Sequence, residues 1–337
     1  MRQFKLFLLA FLVVFSANNL FAGNKFVPSD NENLAVVYTF DEIIDEKFES
    51  FIREDLKEIG YFLNDPHRRV NDAYKNEYGS TYLDILSFSS ILNESVVRPL
   101  LNKDPRLGSF NPFNLLIYRK KDDKKTYIAH LTPEAILDIS QIDDVEIRKT
   151  YTKSFEVLDK SIREKLGGKK GFVKLEAYAQ KPMMNFEIPI GEPEDIDDFL
   201  DDFQDKFEGA FEKKGYVMAG FYNIKESLNS NQDVMPEYTA YWSYDLCHIP
   251  FSYALFDGVN GIPVAGIFAP CSMYVYLRED EKKLVIGMPR LETWAKAIGL
   301  SDAERLSLIK RIDKEIPEII SSLGGHETNS QNPLLKK

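Results

Sequence analysis

Basic residues are the minority in this chain, with 42 Lys and Arg against 53 Asp and Glu and a net charge of −11. No broad cationic surface is available to neutralise phosphates, so nucleic acid and anionic lipid are not expected partners. Cysteine is scarce: Cys247 and Cys271 are the only two, and no Cys-x-x-Cys pair exists to lower a thiol pKa for redox exchange. The phosphate-binding, dinucleotide, zinc-protease and haem-attachment patterns are all missing, as is a nucleophile elbow with a Ser-His-Asp order. Those absences argue against conventional nucleotide, metalloprotease, cytochrome and serine-hydrolase chemistry. With 44% hydrophobic and 28% charged residues over 337 positions, collagen-like, coiled-coil and wholly disordered classes are also excluded, and there is enough apolar material for one large or two medium cores.

The first 22 residues read as a separate message. Arg2 and Lys5 precede an apolar run, Leu6 to Ala17, and small residues up to Ala22-Gly23 offer cleavage options. Twelve helical residues rise only about 18 Å, short of a hydrocarbon core of about 30 Å, so a cleaved secretory signal is expected at 1–22. Loss of Arg2 and Lys5 would move the net charge from −11 to −13. No later stretch is long and apolar enough to span a membrane, so the expected product is exported, periplasmic or extracellular. In an oxidising compartment the two cysteines would by default pair.

Periodicity shows the same unit twice. Ile44, Phe48, Phe51, Ile52, Leu56 and Ile59 recur at helical spacing and stop at Gly60-Tyr61; Ile196, Phe199, Leu200, Phe203, Phe207 and Phe211 do the same and stop at Gly215-Tyr216, 155 residues later. Asn111 to Tyr118 lines up with Ala269 to Tyr276, and the charged turns Lys121 to Lys125 and Glu279 to Lys283 follow in register at an offset of 158. Loop insertion around Val259 to Pro263 accounts for the drift. Each copy reads as strand, long helix, two strands, a short helix or loop, and a hairpin, which is an α+β unit. In the second copy the hairpin strands are expected at Ser272 to Leu277 and Lys283 to Met288. A helix from Asp143 to Leu166 ends at Gly167-Gly168, and another opens on Ser301-Asp302-Ala303-Glu304. The expected organisation is therefore a first, diverged repeat at 23–168, a second repeat at 169–325 and a disordered tail at 326–337.

The second copy resembles a known family, the domain of unknown function number 302. The likeness rests on Tyr244 to Leu255, Ile267 to Tyr276 and Ile286 to Pro289. It includes a Cys followed by a Pro, here at Pro250 and one residue late, an Ala-x-x-Leu helix start, and a Pro-Cys entering a strand. The first copy is more distant, with Ile91 and Phe113 where the cysteines would be. The resemblance implies two tandem repeats, each a curved antiparallel sheet with helices packed on one face, as in the TATA-binding-protein class. It implies no activity.

Several side chains could carry chemistry. Cys247 and Cys271 come from adjacent elements, and a structural disulfide, a thiol site and two buried reduced thiols are all open readings. Cys247, His248, Cys271 and Met288 are ligand types suited to copper or zinc. His130 matches Met288 in the first copy, ahead of a helix start at Thr132-Pro133, with Ser89, Ser90, Asn93 and Glu94 as polar companions; His67 and His326 sit in polar loops or the tail. The acidic run from Glu192 to Asp205 lacks the glycine and closing glutamate of a calcium loop and reads as a solvated helix start. Tyr238, Tyr241, Trp242 and Tyr244 read as sheet packing in preference to a stacking platform. The expectation is a non-enzymatic exported protein that binds a small ligand or a partner protein in a cleft, its two repeats forming an intramolecular pseudo-dimer. The competing expectation is a thiol-redox or soft-metal protein centred on Cys247 and Cys271.

Overall fold

The computed structural model describes residues 28–226 and 234–328; the expected signal at 1–22 and the end of the tail lie outside them. Among the described residues, twelve strands form two six-stranded sheets. In the first half these are β1 (Asn33–Phe40), β2 (Phe62–His67), β3 (Leu83–Leu92), β4 (Phe113–Lys120), β5 (Thr126–Leu131) and β6 (Lys169–Lys174). The second half contains β7 (Met183–Pro189), β8 (Val217–Asn223), β9 (Tyr238–Cys247), β10 (Cys271–Arg278), β11 (Lys283–Pro289) and β12 (His326–Thr328). The spatial order is β2-β3-β4-β5-β1-β6 in one sheet and, read from the corresponding edge, β8-β9-β10-β11-β7-β12 in the other. Neighbouring strands pair antiparallel throughout. The fold is α+β, and its matching halves fit a tandem duplication.

The helices form where the apolar period puts them. Ile196–Glu212 opens on Asp195, whose carboxylate accepts from the N–H groups of Asp197 and Asp198, and it buries Leu200, Phe203, Phe207 and Phe211. Its acidic residues face solvent or cap that helix. The counterpart in the first half buries Phe48, Phe51, Ile52 and Leu56 but is not a uniform α-helix: a π turn, Phe51–Asp55, separates Asp45–Ser50 from Leu56–Glu58. The long helices Val145–Lys165 and Ala303–Ser322 are capped by Asp144 and Asp302.

Two boundaries differ from the sequence reading. The strand β6 pairs with β1, so the first unit extends through Lys174 and does not end at Gly168. Likewise His326–Thr328 pairs with β7 instead of opening the tail. Both are edge strands at the ends of their sheets, partly or wholly exposed, and their polar composition leaves no apolar alternation for a pattern to detect.

The halves pack through reciprocal insertions. Short 3₁₀ helices at Pro105–Phe110 and Pro263–Phe268 each lie against the opposite sheet, ahead of the cis bonds Asn111-Pro112 and Ala269-Pro270. A Cβ on Gly108 would lie 2.1 Å from the Tyr241 hydroxyl, and one on Gly266 would lie 3.0 Å from Phe88 and 3.1 Å from Leu116, so glycine permits both approaches. The contact is fastened by the Tyr241 hydroxyl on the Pro105 carbonyl (2.6 Å), the Tyr238 hydroxyl on the Leu101 carbonyl (2.8 Å) and the Asn114 amide on the Gly266 carbonyl (2.7 Å). The tyrosines at 238, 241 and 244 and Trp242 are all buried, which makes them packing residues.

Candidate functional site

A cavity of about 610 Å³ opens where the two halves meet. The end of β2 and the helix Val70–Tyr78 supply one wall, through Pro66 to Arg69, Val70, Ala73 and Asn76, with Phe88 of β3 behind them. The opposite wall comes from Val217 to Ala219 of β8, Leu246 to His248 at the end of β9, and Pro270-Cys271 at the start of β10. Phe251, Phe256 and Trp294 complete it. The volume is that of an ordinary small-molecule pocket, and the lining is mainly apolar with a few polar groups.

Both cysteines belong to this cavity, and neither is bonded to the other. Of the open readings for this pair the disulfide is not shown, and both side chains are free thiols. The register explains why: Cys271 faces Leu246 across the β9–β10 ladder, one position out of opposition with Cys247, which pairs with Val217 on the other side. Burial pushes the Cys247 thiol up to about 11 and the Cys271 thiol well above its ordinary value, the latter also raised by its neighbour Cys247. Both thiols are protonated at neutral pH, the poor state for nucleophilic or metal-binding sulfur. His248 caps the short helix Ile249–Ser252 by accepting the Phe251 N–H at 3.2 Å on Nδ1, and burial lowers its pKa.

The remaining sequence candidates lie elsewhere. Met288 is wholly buried in β11 opposite Met184 and does not line the cavity. His130 is wholly buried in the first half, its Nδ1 at 2.8 Å from the Leu131 carbonyl and its Nε2 at 3.1 Å from Asp159. Asp159 also accepts from Tyr38 (2.6 Å) and Lys170 (2.7 Å). Burial alone would raise the Asp159 carboxyl, but the hydrogen bonds from His130, Lys170 and Tyr38 hold it well below the usual carboxylate range. This is a structural clasp between β5, β1, β6 and the helix Val145–Lys165. Among the described residues, no group of three or more His, Cys, Asp or Glu side chains is arranged to hold a metal ion.

Sequence reading missed half of the cavity. Trp294 is 2% exposed, yet its indole N–H has no hydrogen-bond partner among the described residues, and the same holds for His67 Nε2. A buried polar atom without a hydrogen-bond partner is uncommon, and here both side chains line the cavity. Trp294 stacks on Phe268 at 5.2 Å, which fixes its ring. Nothing in the pattern of the helix Leu291–Ala297 distinguishes Trp294 from a core residue.

The equivalent place in the first half is filled. Phe113 opens β4 as Cys271 opens β10, and its ring stacks on Phe155 at 4.6 Å and meets Tyr61 edge-on at 6.2 Å. The strand ends also place Leu92, not Ile91, at the position of Cys247.

No protein-family model matches the chain, and no curated protein matches it. A solved structure similar to part of it is that of an uncharacterized conserved protein, DUF302, from Bacillus stearothermophilus. The two share 14% identity over 42% of this chain and 98% of that one, with a TM-score of 0.32.

Proposed function

We propose that the protein is a binding protein that holds a small organic molecule in the cavity between its two halves. The observation that carries the reading is Trp294, whose side chain lines a cavity of about 610 Å³ to which both halves contribute and whose buried indole N–H has no partner among the described residues. An unpaired buried donor costs about 1 to 3 kcal/mol, a penalty that an occupant with an acceptor removes. The neutral thiols and the dispersed ligand types favour binding over thiol or metal chemistry.

Titration with the neutral fluorophore N-phenylnaphthylamine tests this. Saturable binding of one probe per chain is expected, and Cys271→Phe, which copies the plug of the first half, should weaken it at least about tenfold. Ala73→Trp, placed at an exposed position on the opposite wall, should do the same while leaving the circular dichroism spectrum unchanged. Binding that survives both substitutions would overturn the reading.

A further inference from the structure

The chemistry of the cavity wall limits what can occupy it, an argument that rests on the binding reading above. Among the described residues, no Asp, Glu or Lys lines the cavity. Its two guanidinium groups are already engaged at the exposed rim. Arg69 Nε and Nη2 bond Asp72 at 2.6 and 3.1 Å, and Arg68 bonds both carboxylate oxygens of Glu49. The other polar side chains of the lining are Asn76, Ser252, Trp294, the two protonated thiols and the imidazoles of His67 and His248. An ionic ligand entering this space would lose its hydration and find no free counter-charge among the described residues. Indole is a donor only, so its natural complement is an acceptor such as a carbonyl or ether oxygen. The rest of the surface is mainly apolar, with Phe88, Leu246, Phe251, Phe256 and Pro270 among its residues, and it rewards apolar area.

We infer that the occupant is an uncharged, mainly apolar molecule carrying one hydrogen-bond acceptor that meets Trp294. Three naphthalene probes of similar size separate the parts of this statement. Propionyl-dimethylaminonaphthalene is neutral with a ketone acceptor, N-phenylnaphthylamine is neutral without a carbonyl, and anilinonaphthalene sulfonate is an anion. The ketone is expected to bind the full chain at least about tenfold more tightly than the sulfonate. Trp294→Phe keeps an aromatic ring against Phe268 and removes the donor; it should weaken the ketone by about five- to tenfold and leave N-phenylnaphthylamine within about twofold. Equal binding of sulfonate and ketone, or equal loss of both neutral probes in Trp294→Phe, would overturn the inference while leaving the cavity reading intact. If N-phenylnaphthylamine fails to bind the unaltered protein, the cavity reading falls and this inference falls with it.

Discussion

The Ser90 hydroxyl donates to Asp245 Oδ2 at 3.0 Å, and the two residues hold the same position in their respective halves: each is the eighth residue of a ten-residue strand, β3 or β9. Contact between matching positions of the two halves fits a tandem duplication. Both residues are buried, and the Ser272 hydroxyl donates to the other carboxylate oxygen at 2.8 Å. Ser90→Ala removes one of these donors and should destabilise the protein by about 1 to 2 kcal/mol. Urea denaturation followed by fluorescence checks the value. The same data should show one transition, since the halves share their interface; two separated transitions would mean that they unfold independently.

Reciprocal glycines at the interface predict unequal effects. On Gly108 a methyl group would lie 2.1 Å from the Tyr241 hydroxyl, which is itself held by the Pro105 carbonyl. On Gly266 it would lie 3.0 Å from the ring of Phe88 and 3.1 Å from the end of Leu116, both able to give a little. Gly108→Ala should therefore cost about 3 kcal/mol and Gly266→Ala about 1 kcal/mol. Thermal melting of the two variants side by side would show the order, and a larger effect at Gly266 would contradict the packing described.

Much of this arrangement was legible in the residues. Offsets of 155 and 158 matched the helix that ends at Gly60 with the one that ends at Gly215, and β4 with β10, because the apolar faces and the turns at their ends are written locally. The cavity was half legible. Cys247, His248 and Cys271 were marked by their residue types, whereas Trp294 and Phe88 look like any core aromatic until the halves are docked. Met288 and His130 were grouped by type with residues that the sheets place elsewhere. Polar edge strands carry no periodic signal, which is why the boundary at Gly168 and the start of the tail at His326 were misplaced.

The state of the thiols gives a direct measurement. Thiol titration in denaturant without reductant should return two thiols per chain, the number of free cysteines. None would mean that a bridge forms in solution. In the native protein, reaction with an aromatic disulfide near neutral pH should be slow and should rise steeply only as pH approaches the Cys247 value of about 11.

The clasp at Asp159 sets an acid limit. Its carboxyl titrates lower in the folded chain than in the unfolded one, so its contribution to stability is complete above the unfolded carboxyl value of about 4 and fades as pH falls below that. Melting temperatures measured from about pH 6 down to pH 2 should fall less steeply in Asp159→Asn than in the unaltered protein, although the variant starts lower. Parallel curves would assign the acid sensitivity to other carboxylates.

Phe113 and Cys271 bear on what joining the two halves in one chain makes possible. In an assembly of two identical chains, every substitution is made twice, so a filled position on one side dictates a filled position on the other. A single polypeptide has no such obligation. With a stacked ring at one site and a small side chain at the other, the chain can spend one half on rigidity and leave room in the other, an asymmetry that self-association of a shorter chain could not encode.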